Sequence, residues 1–345
     1  MTEFASILLK WYDLNKRDLP WRLTKDPYKV WISEIILQQT QVVQGTAYYM
    51  RFVEYFPDIQ SLASASEDEV LKMWEGLGYY SRARNLHATA KLVVANYRGI
   101  FPTSYEEIIQ LKGVGPYTAA AIASICFNLP YAAIDGNVYR FLSRYFGFET
   151  AIDTTKGKKD FKYLADKLLY KDRPSEYNQA IMEMGATVCK PKLPLCDECP
   201  FSPSCIALRK DLVAILPIKE KKIKQRSRYF HFLFVERNGS IAIERRNEND
   251  IWKGLYQLPL VEMPHKITDE KLSEHIGLKV NFISEKKHIL SHQVLFAKFY
   301  SVHGDTLKLV HRDQLLYVPI NDVRTFAFPQ LIVDFFNERI YLKGE

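Results

Sequence analysis

No part of the 345-residue chain carries an apolar run of the roughly 20 residues that a membrane-spanning helix needs. The opening residues, Met1 to Lys10, lack the basic start and apolar stretch of a secretory leader, so a cytoplasmic location is expected, beside the nucleoid if the partner is DNA. There is no internal repeat and no low-complexity segment, which excludes solenoids, coiled coils and disordered tails. Before residue 225 there is no convincing alternating strand, so the first ~210 residues read as all-α. Neither charge sign dominates: the net charge is +7 and the pI about 8.9, a mildly basic balance that suits a polyanion without requiring one. Cysteine is scarce as well. Of five, Cys126 sits in the apolar run Ala121 to Phe127 and reads as core, which leaves four in one short segment.

Those four are Cys189, Cys196, Cys199 and Cys205, spaced Cys-x6-Cys-x2-Cys-x5-Cys. Four thiolates this close can close on zinc or on a [4Fe–4S] cluster. Zinc ribbons usually pair two Cys-x2-Cys knuckles and only one is present, while paired disulfides are disfavoured in a reducing compartment, so the cluster is the preferred reading. The intervening loop would expose Lys190 and Lys192, within reach of phosphates.

Helical periodicity places a first helix over Glu3 to Asn15 with Phe4, Ile7, Leu8 and Trp11 on one stripe, and a strongly apolar one over Val30 to Gln41. Further helices are expected at about 44–55, 66–75, 81–97, 104–111 and 117–127, then from Asn137 to Tyr145. The chain centres on Lys112-Gly113-Val114-Gly115-Pro116, where two glycines make a tight turn and Pro116 opens the next helix. A helix–Gly-x-Gly–helix unit aims backbone N–H groups and a helix N-terminus at one point, a ready phosphate site, although any helical corner could look the same.

Two carboxyls stand out. Glu34 lies among Ile32, Ile35, Ile36 and Leu37. It is either at the edge of that stripe in solvent, or desolvated and raised in pKa into a proton donor. Asp135, in Ile134-Asp135-Gly136-Asn137, precedes a helix and can be its N-cap. The helix N-terminus is expected to keep it ionised. Two carboxyls of unlike pKa are the usual equipment for breaking a glycosidic bond.

After Pro217 the sequence turns basic through Lys219, Lys221, Lys222, Lys224 and Arg226, a linker that is solvated or follows phosphates. The period then becomes two. Tyr229 to Glu236 reads as a strand, Asn238-Gly239 as a hairpin turn, Ile241 to Arg245 as its return, Thr268 to Ile276 as a helix, Val294 to Val302 as a strand and Phe328 to Tyr341 as a closing helix. The C-terminal part is therefore a separate α+β domain.

Taken together, Trp31 to Gln41, Gly76 to Leu86, Leu111 to Ala119, Ile134 to Val138 and the cysteine spacing resemble the helix-hairpin-helix DNA glycosylases of the endonuclease III superfamily, and within it the adenine DNA glycosylase (MutY-type) branch. The likeness continues more weakly through Trp252 to Pro259. It implies a helical glycosylase region over 1–215, comprising a six-helix module at about 26–130 and an iron–sulfur module formed by the N-terminal helix with 131–215. A basic linker at 216–228 and a Nudix-like domain at 229–345 that senses 8-oxoguanine would follow.

By the same likeness the partner is double-stranded DNA containing A·8-oxoguanine or A·G mispairs, bound by a monomer, and the cofactor is a [4Fe–4S] cluster on the four cysteines. Glu34 would protonate adenine at N7 and later handle water, and Asp135 would stabilise, or briefly bond to, the sugar cation. Tyr117 and Asn137 would support them, while Arg22 and Gln179 would contact the extruded adenine. Gln39, Thr40, Leu77 and Tyr79 would fill or flank the gap, the Gly113 and Gly115 hairpin would hold the strand, and Ser291 and His292 would meet the lesion. The family loop reads Phe-Ser-His, where this chain has Leu290-Ser291-His292.

Lyase relatives carry a nucleophilic lysine two residues after the second hairpin glycine. This chain has Tyr117 there, so a monofunctional enzyme is expected. No Nudix metal-ligand cluster is present between Glu262 and Gly277. Two other readings are weighed beside this one: a bifunctional pyrimidine glycosylase, and a non-catalytic DNA-binding redox protein.

Overall fold

The computed structural model describes residues 2–220, 224–246, 250–302 and 315–341. The chain divides into two compact units, Met1–Ser64 with Asn85–Lys222, and Ala65–Arg84 with Ile223–Glu345. The second unit thus includes a segment, 65–84, that the sequence places inside the six-helix module. Among the described residues no helix is long and apolar enough to cross a membrane.

In the first unit, α1 (Glu3–Asn15) starts at Thr2, whose hydroxyl accepts from the Ala5 N–H, and buries Phe4, Leu8, Leu9 and Tyr12. Phe4 meets Phe201 with ring centroids 4.9 Å apart. The same core takes Phe141 and Leu142 from α9 (Gly136–Phe146), Phe161 from α10 (Thr155–Leu168), and Ile181 and Met184 from α11 (Pro174–Thr187). The N-terminal helix therefore shares a core with the later segment, as the expected module requires.

The remaining helices of the unit are α2 (Pro27–Ile36), α3 (Val42–Tyr55), α4 (Ile59–Ser64), α6 (Ser81–Tyr97) from Asn85 onward, α7 (Tyr105–Ile108), α8 (Pro116–Phe127) and the short α12 (Ile206–Arg209). α2 is buried on every side from Val30 to Ile36 because α3 and α8 pack against it. It ends five residues earlier than the periodicity predicts. Gln39 takes a left-handed φ of 57°, and Thr40 N–H bonds back to Leu37 O, so Gln38-Gln39-Thr40 is a turn. α7 is likewise shorter than its predicted 104–111.

The Gly-x-Gly turn forms as expected, with the two glycines in different conformations. Gly113 has φ +81°, and a Cβ on it would lie 2.8 Å from Asn85 Cβ. Gly115, the residue before α8, has an ordinary φ of −96° and no atom within 4 Å of such a Cβ.

In the second unit, α5 (Glu67–Met73) is closed by a capping box between Ser66 and Glu69. One sheet has the order β5 (Leu260–Met263), β1 (Arg226–Phe234), β7 (Gln293–Val302), β6 (Val280–Ile289), with β1 and β7 parallel and the outer pairs antiparallel. The second sheet centres on β3 (Ser240–Arg245), flanked by β2 (Glu236–Arg237), β4 (Tyr256–Gln257) and β8 (Leu315–Pro319). Positive φ at Asn238 and Gly239, 50° and 72°, makes the expected primed turn between β2 and β3. α13 (Asp269–Ile276) is capped by Thr268 and ends at Gly277; α14 (Gln330–Phe336) buries Leu331, Ile332, Phe335 and Phe336.

Three expectations are corrected. β1 begins at Arg226, and Ile218 O accepts from Ile152 N–H while Glu220 N–H donates to Asp153, so most described residues of the 216–228 linker are fixed. β6 went unrecognised, because it is an edge strand with mostly exposed polar residues and a bulge between Phe282 and Ser284. The closing helix is α-helical only over Gln330–Phe336 and then widens into a π-helix over Asn337–Tyr341.

The glycine geometry yields a stability test. Gly113→Ala should destabilise by about 1–2 kcal/mol in urea unfolding, from left-handed backbone strain plus displacement of Asn85, whereas Gly115→Ala should stay within about 0.5 kcal/mol.

Candidate active site

One cavity of about 800 Å³ in the first unit gathers side chains from α2, α8, α9, α11 and the 17–22 segment. Its size suits a nucleoside-sized ligand. Glu34 reaches it from α2, Tyr117 from the first turn of α8, Asp135 from the residue that caps α9, and Gln179, Met182 and Glu183 from α11.

Glu34 is only 7% exposed, which settles the sequence alternatives in favour of the desolvated carboxyl. Burial pushes its pKa up to about 7. The Tyr117 hydroxyl, donating to Oε2 at 2.6 Å, opposes that rise, Asp135 adds to it, and Arg22 opposes it weakly. The Tyr117 hydroxyl is itself held protonated, since burial and the two neighbouring carboxyls raise its pKa well above the usual phenol value. It also lies 3.5 Å from Met182 Sδ.

Asp135 caps α9 as expected, accepting from Val138 N–H at 2.8 Å and from Asn137 Nδ2 at 2.6 Å. The α9 terminus favours the ionised form, as expected, but it acts against burial. Burial raises it, and the bonds from Val138 and Asn137, with Arg140 nearby, only reduce the rise. Asn137 is fixed in turn by Arg140, which donates to its Oδ1 at 2.8 Å, to Gly185 O at 2.7 Å and to Cys189 O at 2.7 Å.

Arg22 lines the cavity but already has a partner, bonded to Glu183 at 2.7 Å, as Arg17 is at 2.6 Å. Glu183 is 1% exposed; burial by itself would raise its pKa, and the two guanidiniums outweigh that and bring it to about 2. Gln179 accepts from Tyr12 and donates to Ser175. Sequence reasoning missed Glu183, Arg17 and Met182. The signal for Glu183 was the one used for Glu34, a carboxylate set in an apolar run, Ala180-Ile181-Met182-Glu183-Met184.

The family model for the HhH-GPD superfamily of base excision DNA repair proteins matches residues 32–167, and a NUDIX domain model matches 231–338. An adenine DNA glycosylase of Buchnera aphidicola is 38% identical over 305 residues, covering 85% of this chain and 84% of its own. This chain belongs to the adenine DNA glycosylase family. The mouse adenine DNA glycosylase is 36% identical, over 88% of this chain and 71% of its own. Among solved structures, a thermostable thymine-DNA glycosylase superposes with a TM-score of 0.56 at 30% identity, over 60% of this chain and 95% of its own. An endonuclease III–DNA complex has a TM-score of 0.52 at 22% identity, over 61% of this chain and 95% of its own, and shows the same fold.

Within this glycosylase the expected DNA contacts divide between the two units. Gln39 is exposed at the turn after α2, beside Thr40, and Gly113 and Gly115 line the cavity rim. In the second unit Tyr79 is 47% exposed with a φ of 47°, and its hydroxyl bonds Ser291 in the 290–292 loop; His292 is exposed beside it. Leu77 is only 8% exposed. Leu290, standing where the family has Phe, is half-buried against the core of its domain.

All four clustered cysteines line one pocket with Arg144, which donates to Cys189 Sγ at 3.5 Å. The donor set is the all-thiol one an iron–sulfur cluster takes. No group of three or more His, Cys, Asp or Glu among the described residues is arranged to hold a metal ion. Lys192 is exposed as expected and Lys190 is half-buried.

Removing the Glu183 carboxylate leaves two guanidiniums facing each other. Glu183→Gln should therefore cost about 2–3 kcal/mol in urea unfolding, below the range for a fully buried pair because Arg17 is 38% exposed.

Proposed function

We propose that this glycosylase excises adenine mispaired with 8-oxoguanine or guanine in duplex DNA and does so without strand cleavage. The observation that carries this reading is the buried Glu34–Tyr117 pair sharing one cavity with Asp135. A carboxyl with pKa near 7 is half protonated at neutral pH and can give its proton to adenine N7. The C1′–N9 bond then breaks with its electron pair going to the base, and the cationic sugar carbon faces the Asp135 carboxylate. Water adds at C1′ and returns a proton to Glu34. Asn137 holds Asp135 in place from one side and the α9 terminus holds it from the other.

Extruding a base costs a few kcal/mol, roughly, and least at a mispair. Arg22 and Gln179 are placed to line the pocket for the extruded adenine. Exposed Tyr79, Ser291 and His292 are available to the 8-oxoguanine that remains. Among the described residues no lysine lines the cavity, and position 117 offers a phenol where an amine would be needed for a Schiff base. Cys189, Cys196, Cys199 and Cys205 would hold a [4Fe–4S] cluster, which when bound would tie its loop covalently to the helical unit. A monomer acting at chromosomal DNA completes this reading.

Asp135→Asn should retain binding to an A·8-oxoguanine duplex yet release no adenine in a single-turnover assay, and borohydride should trap no adduct with the wild-type chain. Undiminished release by Asp135→Asn would overturn the assignment. The pH profile gives a separate check. The acid form of Glu34 is present below its pKa, so the single-turnover rate should fall as pH rises through about 7. Tyr117→Phe deletes a bond that lowers the Glu34 pKa, so the falling limb should move to higher pH.

A further inference from the structure

We propose that Gln225, at the end of the basic linker, is a positioning residue that holds the 290–292 turn in the shape that meets 8-oxoguanine. The role presupposes that Ser291 and His292 contact the lesion, as proposed above.

Leu290, Ser291 and His292 connect β6 to β7, and Leu290 N–H donates to Gln293 O at 2.8 Å. Ser291 and His292 are thus the centre of a two-residue hairpin turn. Such turns favour the primed types, whose backbone follows the right-handed twist of the flanking strands and needs positive φ at one or both central residues. Neither Ser291 nor His292 has a positive φ. The turn therefore lacks the twist that suits its own strands, and its shape needs support from outside the hairpin.

Most of that support comes from one short stretch. The Gln225 carboxamide donates to Leu290 O at 2.9 Å, Arg226 N–H to His292 O at 3.1 Å, and the Arg228 guanidinium to Gln293 Oε1 at 3.0 Å. The Tyr79 hydroxyl bonds the remaining residue, Ser291.

These anchors differ in kind. The Arg226 bond is a main-chain one at the start of the parallel β1–β7 pairing, open to any residue with an N–H. Arg228 is 8% exposed and is also tied to Asp250 and Glu262, so it serves the domain core as well. Gln225 is exposed, precedes β1, and reaches the turn through its side chain, so here the identity of the residue matters. Its acceptor is well placed. The Leu290 carbonyl and the Ser291 N–H share one rigid peptide plane, so a bond to that oxygen also sets the direction in which Ser291 leaves the strand. Leu290 is itself half-buried against the domain core, which steadies the other side of that plane.

The test is the affinity of the full chain for two duplexes, with a tetrahydrofuran abasic site opposite 8-oxoguanine or opposite guanine, read by fluorescence anisotropy. The phosphates are the same in both, so the ratio of the two affinities isolates the lesion. Gln225→Met keeps the length of the side chain and removes its donor, while Gln225→Lys restores a donor of similar reach. Gln225→Met should lower the preference for 8-oxoguanine about three- to tenfold, the worth of one neutral hydrogen bond. Its affinity for the guanine duplex and its urea midpoint should stay at wild-type values, and Gln225→Lys should keep the preference. A wild-type preference in Gln225→Met, an equal loss on both duplexes, or the same loss in Gln225→Lys overturns the proposal. Replacing Ser291 and His292 together by Ala separates the two levels. A preference unaltered in that double variant overturns the assignment of the turn to the lesion and the role of Gln225 with it. Loss there with none in Gln225→Met overturns the role of Gln225 alone.

Discussion

The structure depends on the desolvation of one carboxyl. α2 is buried from Val30 to Ile36, where α3 and α8 pack against it, and Glu34 is the charge-bearing group within that buried stretch. Burial raises the Glu34 pKa to about 7, so the packing that stabilises the helical core also sets the acid strength of this carboxyl. Tyr117 limits the effect. Its short hydrogen bond returns part of the stabilisation that the carboxylate lost on leaving water, which keeps the pKa near neutrality.

Asp135 works within a different balance. It too is buried, but it is surrounded by donors: the α9 terminus, Asn137, and Arg140 behind Asn137. Burial raises both carboxyls, and what distinguishes them is the number of donors each receives. The charge next to the cavity is similarly contained, since Glu183 takes two arginines and keeps their net effect on Glu34 small. The site is thus a cavity whose carboxyls, Glu34, Asp135 and Glu183, are each held by their own partners.

Much of this was legible in the residues. The Gly-x-Gly turn, the Asp135 cap, the two-unit composition and the hairpin at Asn238-Gly239 are local signals, and local signals survive folding. Glu34 was visible as an oddity, yet its burial was not, because the periodicity of one helix cannot tell how many neighbours enclose it. The burial of Asp135 was not legible for a related reason: a cap is read from four residues, whereas desolvation comes from the whole fold. Glu183 was missed because its meaning lies in Arg17 and Arg22, more than 160 positions away. β6 carries little apolar alternation, and only pairing with β7 reveals it as a strand.

Residues 65–84 bring a last point. Phe328 N–H donates to Glu75 at 2.8 Å, Lys72 donates to Phe326 O, Tyr80 to Phe328 O, Arg84 to Lys253 O, and Arg245 pairs with Asp68. The boundary between the structural units therefore does not coincide with any cut in the chain. A truncation placed at the basic linker would strip these partners from 65–84 and expose a surface that the intact molecule covers. Loss of activity in such a fragment would report the damaged 65–84 segment as much as the missing C-terminal domain, and separating the two calls for point substitutions in the C-terminal loop.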